Sequence, residues 1–218
     1  GRVDIGLGNS PGTPLVGRHL ESHYSKEQYA EWLEKLQQYL NEARRKGIVV
    51  PEAENIPEQF LLGMGGQSIE SAASLGLSFV YGVFPYIPQD PVELAKSLSE
   101  KYRSNFKAGT HSKPSNFVLA VFVVIADTSE EAEKMAKPLD LWMLGKQDFS
   151  EFYTFPTEKD VETYEFTQWD HEKIASNRSR LIVGNPREVY EQMEALRAVS
   201  NPDELLFIPL VGSIEKRK

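Results

Sequence analysis

The 218-residue sequence contains no cysteine, and this absence removes several kinds of chemistry at once. Disulfides, thiolate nucleophiles and cysteine-bound zinc are excluded, and a cytoplasmic location is favoured because disulfides are typical of oxidising compartments. No apolar run approaches the roughly 20 residues that a membrane-spanning helix requires. No signal peptide is recognisable either. The sequence therefore predicts no association with a membrane.

Basic residues are also in deficit. Lysine and arginine together number 24 against 32 aspartates and glutamates, so the formal net charge is −8. A nucleic-acid-binding domain needs a basic patch or stripe, and none offsets this deficit. The composition therefore predicts no nucleic-acid partner.

The signature motifs of several enzyme classes are missing as well. The sequence has no GxSxG nucleophile motif, no Walker lysine and no GxGxxG. Pro14 and Gly17 predict a loop rather than a helix in the segment that runs to Tyr24, so the i, i+4 spacing of the first two histidines forms no helical metal site. All four histidines are expected in loops or at a helix start (His19, His23, His111 and His171).

What the sequence does contain is an alternation of strand and helix patterns. Helices are predicted from Ser25 to about Lys46, over 67–75, from Asp90, from Thr128 to near Pro138, and from Asn185. Five strands are predicted between and around them (2–8, 60–62, 77–81, 117–126 and 205–210). Such alternation predicts a parallel sheet flanked by helices. An open doubly wound sheet and a (β/α)8 barrel both fit, but a complete barrel takes about 250 residues, so as a barrel this chain would be incomplete.

The stretch from Phe60 to Tyr81 is one compact strand–loop–helix–strand unit. Its loop is rich in glycine, and the helix after it would direct free amides and the positive end of its dipole at the loop. That arrangement is typical of an anion site, most often for phosphate. A tight turn packed on the small residues Ala72 and Ala73 explains the same glycines. The loop alone leaves both interpretations open.

The segment from Leu139 to about Asp170 is acidic, rich in aromatic residues and without a clear period. We expect an irregular insertion there, which forms either a lid or flap or a satellite part of the core. The whole of residues 1–218 is expected to form one domain. Because Gly1 stands directly in a predicted strand and no initiator methionine precedes it, we expect the sequence to be part of a longer polypeptide.

Four motifs in order resemble those of bacterial luciferase-like, flavin-dependent monooxygenases. They are GRVDIGLGNSPGT, LLGMGGQSIESAASLGLSFVYG, VFVVIADTSEEAE, and LIVGNPREVYEQMEAL followed by DELLFIPL. The family fold is a (β/α)8 TIM barrel with an insertion after its seventh strand. The resemblance therefore implies an incomplete barrel that comprises strands four to eight, with the aromatic segment as that insertion.

The resemblance also implies a cofactor, a reaction and partners. Relatives use reduced FMN, which a reductase or NAD(P)H supplies, together with O2 to oxidise a small organic substrate, and some form homodimers. The flavin phosphate would lie on Met64, Gly65, Gly66, Gln67 and Ser68.

The neighbouring loop, with Gly8 and Asn9, would line the flavin. Many relatives carry arginine where this chain has Asn9, and asparagine offers a neutral and weaker phosphate contact. Catalytic residues near the flavin ring belong to the early strands, so none is assigned. A non-catalytic flavin-binding barrel protein and a barrel enzyme for a sugar phosphate are the alternatives.

Overall fold

The computed structural model describes residues 3–8, 14–19, 26–46, 56–84, 90–108, 115–146 and 153–212. The strands in these ranges are β1 (Asp4–Gly8), β2 (Glu58–Gly63), β3 (Ser78–Val83), β4 (Phe117–Ile125), β5 (Leu181–Gly184) and β6 (Glu204–Pro209). The helices are α1 (Pro14–His19), α2 (Lys26–Lys46), α3 (Gln67–Leu75), α4 (Pro91–Asn105), α5 (Ser129–Leu144), α6 (Glu158–Thr163), α7 (Gln168–Arg178) and α8 (Pro186–Ser200). Among the described helices, none is long and apolar enough to cross a bilayer.

The strands form one sheet in the order β1-β2-β3-β4-β5, and β6 pairs with β4. The pairs β1–β2, β2–β3 and β4–β5 are parallel, which confirms the predicted parallel sheet. The described residues contain one strand more than the five that were predicted, and the additional strand is β5. At four residues it is too short for a periodic signal, and its pairing with β4, Phe122 opposite Leu181, is what defines it.

The chain divides into two compact units, and the first comprises Gly1–Tyr81 and Glu100–Val118. Its core contains a cluster of three buried rings, Phe79, Tyr102 and Phe117, whose centroids lie 6.1–6.2 Å apart. The sequence pattern predicts that Trp32 and Leu33 of α2 lie on the same apolar face. In the structure Leu33 is buried, but Trp32 is 48% exposed, so the predicted burial of Trp32 is wrong. Neighbouring helix positions differ by about 100° in direction, so a helix on a sheet buries only a narrow stripe.

The second unit comprises Gly82–Ser99 and Leu119–Lys218. Within it the residues of β4 are buried except the last, as expected for a strand that is covered on both faces. Phe122 and Val124 pack against Met135 and Leu139 of α5 and against Leu181 of β5. This cluster joins the sheet to the helix that follows it.

Three predictions of local structure are wrong. The segment before Tyr24 contains α1, because proline is tolerated in a first helical turn, where its missing N–H has no intrahelical partner. Helix α5 does not end near Pro138 but continues to Leu144, since residues beyond the proline, such as Leu139, are fully buried and their packing outweighs the lost hydrogen bond.

The 139–170 segment is likewise not irregular throughout its described part. It holds the end of α5, all of α6 and the start of α7. Thr157 caps α6 and Thr167 caps α7, each in a capping box. In a capping box the threonine side chain accepts from a backbone amide of the helix, and the aspartate three residues later accepts from the backbone amide of the threonine. The assignment of residues 1–218 to one domain stays a prediction.

Candidate functional site

The candidate site is the loop between β2 and α3, which lies entirely in the first unit. Strand β2 ends at Gly63, and Gly65 and Gly66 follow with φ angles of 115° and 62°. Side chains rarely permit these conformations, so the two glycines let the chain turn from the strand into the helix within three residues. The predicted strand, loop and helix are therefore confirmed.

Gly63 is needed for a different reason. A Cβ atom at this position would lie 2.7 Å from Ser68 Cβ, 3.1 Å from Ser68 Oγ and 3.3 Å from Phe79 Cε2. Carbon atoms in contact normally lie about 3.5–4.0 Å apart. The absence of a side chain on Gly63 thus allows the first turn of α3, which carries the buried Ser68, to pack directly on the end of the strand.

The N-terminus of α3 has no side-chain cap. Its N-cap residue is Gly66, which offers no side-chain oxygen to the first amides of the helix. Other long helices begin with a capping side chain, for example Asp90 on α4, Thr128 on α5 and Asn185 on α8. Gly66 is exposed, and a Cβ placed on it would meet no atom of the described residues within 4 Å. The open space before α3 is therefore available to an external acceptor.

Strand pairing brings Gly8 beside this loop. Gly8 ends β1 and pairs with Leu62, the residue before Gly63. Carboxyl ends of parallel strands meet at the same edge of a sheet, which is where barrel and doubly wound enzymes build their sites. Asn9, the other residue expected here, lies outside the described residues.

The remaining predicted residues of the loop differ in their exposure to solvent. Met64 is 56% exposed, Gly65 and Gln67 are half-buried, and Ser68 is 8% exposed. The structure thus places the five loop residues together, as sequence continuity requires. It also shows that the solvent-facing positions are Met64 and Gly66.

The charges near the loop are balanced. Glu70 stands in the first turn of α3, and Lys101 Nζ of α4 donates to its carboxylate at 2.6 Å. Both side chains are about half exposed, so the pair adds little to stability, but it offsets the negative charge closest to the helix N-terminus. An anion at the loop would be held by neutral amides and the helix dipole.

Sequence reasoning missed two of these residues. The sequence pattern places Gly63 in the glycine-rich loop, although a glycine that ends a strand often marks a close approach of another segment. Lys101 is 31 residues from Glu70, and no local pattern indicates such a pair.

The described residues offer no competing metal site. No group of three or more histidine, aspartate or glutamate residues in the described ranges could hold an ion. His19 ends α1, and His171 lies on α7 with its ring 5.7 Å from that of Phe166. His23 and His111 lie outside the described residues.

Comparison with known proteins agrees with this architecture. The family model for luciferase-like monooxygenases matches residues 1–200. Two curated relatives from Bacillus subtilis (strain 168) align with 100% of this chain and 66% of their own length. The uncharacterized protein YceB is 29% identical over 228 residues, and an N-acetyl-S-alkylcysteine monooxygenase is 28% identical over 227 residues.

Among solved structures, that of apo-MsnO8 aligns with a TM-score of 0.78 and 22% identity over 99% of this chain and 65% of its own. At that identity the likeness concerns the fold. This likeness confirms the predicted luciferase-like TIM barrel. The chain forms an incomplete part of that barrel, since it spans about two thirds of the length of the curated relatives.

Proposed function

Because the chain belongs to the luciferase-like monooxygenase family, we propose that the complete protein is a flavin-dependent monooxygenase that holds the phosphate of FMN on Met64–Ser68. Reduced FMN would supply the electrons with which O2 gives one oxygen atom to a small organic substrate and the other to water. Gly8, at the end of the neighbouring strand, would line the flavin. The predicted contribution of Asn9 is part of the same proposal.

The observation that carries this proposal is the uncapped N-terminus of α3 behind two positive-φ glycines. The first amides of any α-helix have no hydrogen-bond partner from within the helix, and the helix dipole places partial positive charge on them. The exposed Gly66 leaves room for phosphate oxygens to approach these amides. A ligand whose anionic group ends a longer molecule, as in FMN, fits a loop that opens to solvent.

The test compares FMN with riboflavin, which lacks the phosphate, by titrating both into the complete protein and following flavin fluorescence. We expect FMN to bind at least about tenfold more tightly, since charge-assisted hydrogen bonds contribute about 1.5–3 kcal/mol. Equal affinities for the two flavins would show that the loop does not hold the phosphate.

A matched pair of variants isolates charge from strain. Gly66→Asp and Gly66→Asn impose the same unfavourable φ of 62°, but only the first places a carboxylate against the phosphate. We expect Gly66→Asp to abolish FMN binding and Gly66→Asn to weaken it less. Circular dichroism checks that both variants fold. Equal loss in the two variants contradicts an anion at this loop.

Turnover would test the activity itself. The complete protein is supplied with NAD(P)H and a flavin reductase, so that reduced FMN is present, and product formation is measured with O2. N-acetyl-S-alkylcysteines are a first substrate panel, because one relative is a monooxygenase named for them. Binding of FMN without any turnover across a broad panel would favour a non-catalytic flavin-binding protein. Homodimer formation is part of the same proposal and is measured by analytical ultracentrifugation.

A further inference from the structure

The second unit contains a cavity of about 470 Å³ bounded by helices α5, α6 and α7. Small-molecule sites usually occupy about 300–1,000 Å³, so the cavity is large enough for a ligand. Its floor is apolar and consists of Pro138 on α5, Val161 on α6, and Phe166 and Ile174 of the α7 region. All of these residues lie in the second unit, and the candidate loop between β2 and α3 lies in the first.

One charged cluster at this cavity is already paired within the protein. Arg178 Nε and Nη2 donate to the two carboxylate oxygens of Asp140 at 2.6 and 2.8 Å, and Nη2 also donates to Glu133 at 3.0 Å. Burial nevertheless raises the pKa of Asp140, with the Arg178 hydrogen bond acting against it. These three residues therefore bind one another, and the proposed ligand contacts are sought among the other side chains of the lining.

Apart from the imidazole of His171, the remaining ionisable side chains of the lining form two rows of opposite sign. The basic row consists of Lys134 and Lys137, which are three residues apart on α5. The acidic row consists of Glu158 and Glu162, which are four residues apart on α6. Residues at these spacings share one face of a helix. No hydrogen bond or ion pair within the described ranges engages Lys134 or Glu162.

We propose that this cavity binds a free amino acid with an apolar side chain. The carboxylate of the ligand faces the basic row, its ammonium group faces the acidic row, and its side chain contacts the apolar floor. A ligand with one charge would leave either Lys134 or Glu162 without a partner. Separated charges of both signs around an apolar floor are complementary to a zwitterion with an apolar body.

The experiment titrates the full chain with L-phenylalanine, 3-phenylpropionate and 2-phenylethylammonium, and measures affinity by ligand-observed NMR. The second compound lacks the ammonium group and the third lacks the carboxylate. We expect L-phenylalanine to bind, and each analogue to bind about threefold to fivefold more weakly, because partly exposed ion pairs contribute up to about 1 kcal/mol. Binding of either analogue as tightly as L-phenylalanine would overturn the zwitterion site, and so would the absence of binding at millimolar concentration.

Two variants assign each end of the ligand. Lys134→Gln should weaken the binding of L-phenylalanine and 3-phenylpropionate but leave that of 2-phenylethylammonium unchanged. Glu162→Gln should weaken the binding of L-phenylalanine and 2-phenylethylammonium but leave that of 3-phenylpropionate unchanged. Lys173→Gln and Glu165→Gln are matched controls, since both residues lie outside the cavity lining. Both side chains of the tested pair are exposed, so the fold should persist. If neither Lys134→Gln nor Glu162→Gln changes the affinity for L-phenylalanine, the ligand is not held by the two rows.

Discussion

Replacing Gly63 with alanine tests how tightly the end of β2 packs against the first turn of α3. The added Cβ would lie 2.7 Å from Ser68 Cβ and 3.3 Å from the ring of Phe79. Because neither neighbour is the mobile end of a long side chain, the first turn of α3 has to move by about 1 Å to restore a normal carbon–carbon contact. The helix N-terminus moves with it.

The expected cost follows from this overlap. Overpacking of a well-packed site costs about 1–3 kcal/mol. The alanine also reduces the freedom of the unfolded chain, which returns about 0.4–1 kcal/mol. We therefore expect Gly63→Ala to lower the free energy of unfolding by about 1–2 kcal/mol, the balance of these two effects.

Urea unfolding measures this loss, and Gly8→Ala is the matched control for stability. Gly8 also ends a strand at the same sheet edge, but a Cβ there would meet no atom within 4 Å in the part of the chain that the structure describes. We expect Gly8→Ala to be neutral or slightly stabilising. In the flavin titration, Gly63→Ala should weaken FMN by about tenfold and riboflavin less, since in the proposed complex the displaced amides contact only the phosphate. The reasoning is refuted if Gly63→Ala unfolds at the same urea concentration as the parent protein and binds FMN equally well.

Three further predictions concern stability. Tyr102→Phe should destabilise by about 1–3 kcal/mol in urea, because the Tyr102 hydroxyl donates to the buried Leu77 carbonyl at 2.8 Å and its loss leaves that carbonyl unpaired. Hydrogen bonds from Lys146, and then from the backbone, lower the pKa of Asp170 from 3.8 to about 2. The ionised Asp170 carboxylate therefore stabilises the fold above pH 3.8, and this stabilisation is lost as the pH falls toward 2. An acid titration of Asp170→Asn should lack that part of the unfolding; an unchanged acid profile would contradict it. Gly145→Ala should cost about 1 kcal/mol, because Gly145 ends α5 with a φ of 65°, and Gly145→Asn should cost less.

Much of the candidate site could be predicted because its signals are local. Glycines at 65 and 66 imply a turn that other residues do not permit, and the small-residue helix after them starts where the glycines end. Capping residues such as Asp90 and Asn185 act on amides two or three positions away, so the sequence itself contains both partners. The alternation of such segments was sufficient to predict a parallel sheet.

Two of the wrong predictions share one cause. Pro138 is unfavourable inside a helix, and only the burial of later residues, such as Leu139, against the sheet makes the helix continue. Trp32 fits the helical period as well as Leu33 does, and only the direction of α2 on its unit decides which of the two is buried. Local propensity is a weak term, and packing against distant segments outweighs it.

The sequence by itself therefore determined the family resemblance, the order of strands and helices, and a glycine loop before an uncapped helix. Tertiary structure decided that Gly63 meets Ser68, that Lys101 neutralises Glu70, and that oppositely charged rows on α5 and α6 line one cavity. The physical reason is range. Backbone conformation and capping depend on residues a few positions apart, whereas contact distances and the charge around a site depend on segments that only the folded chain brings together.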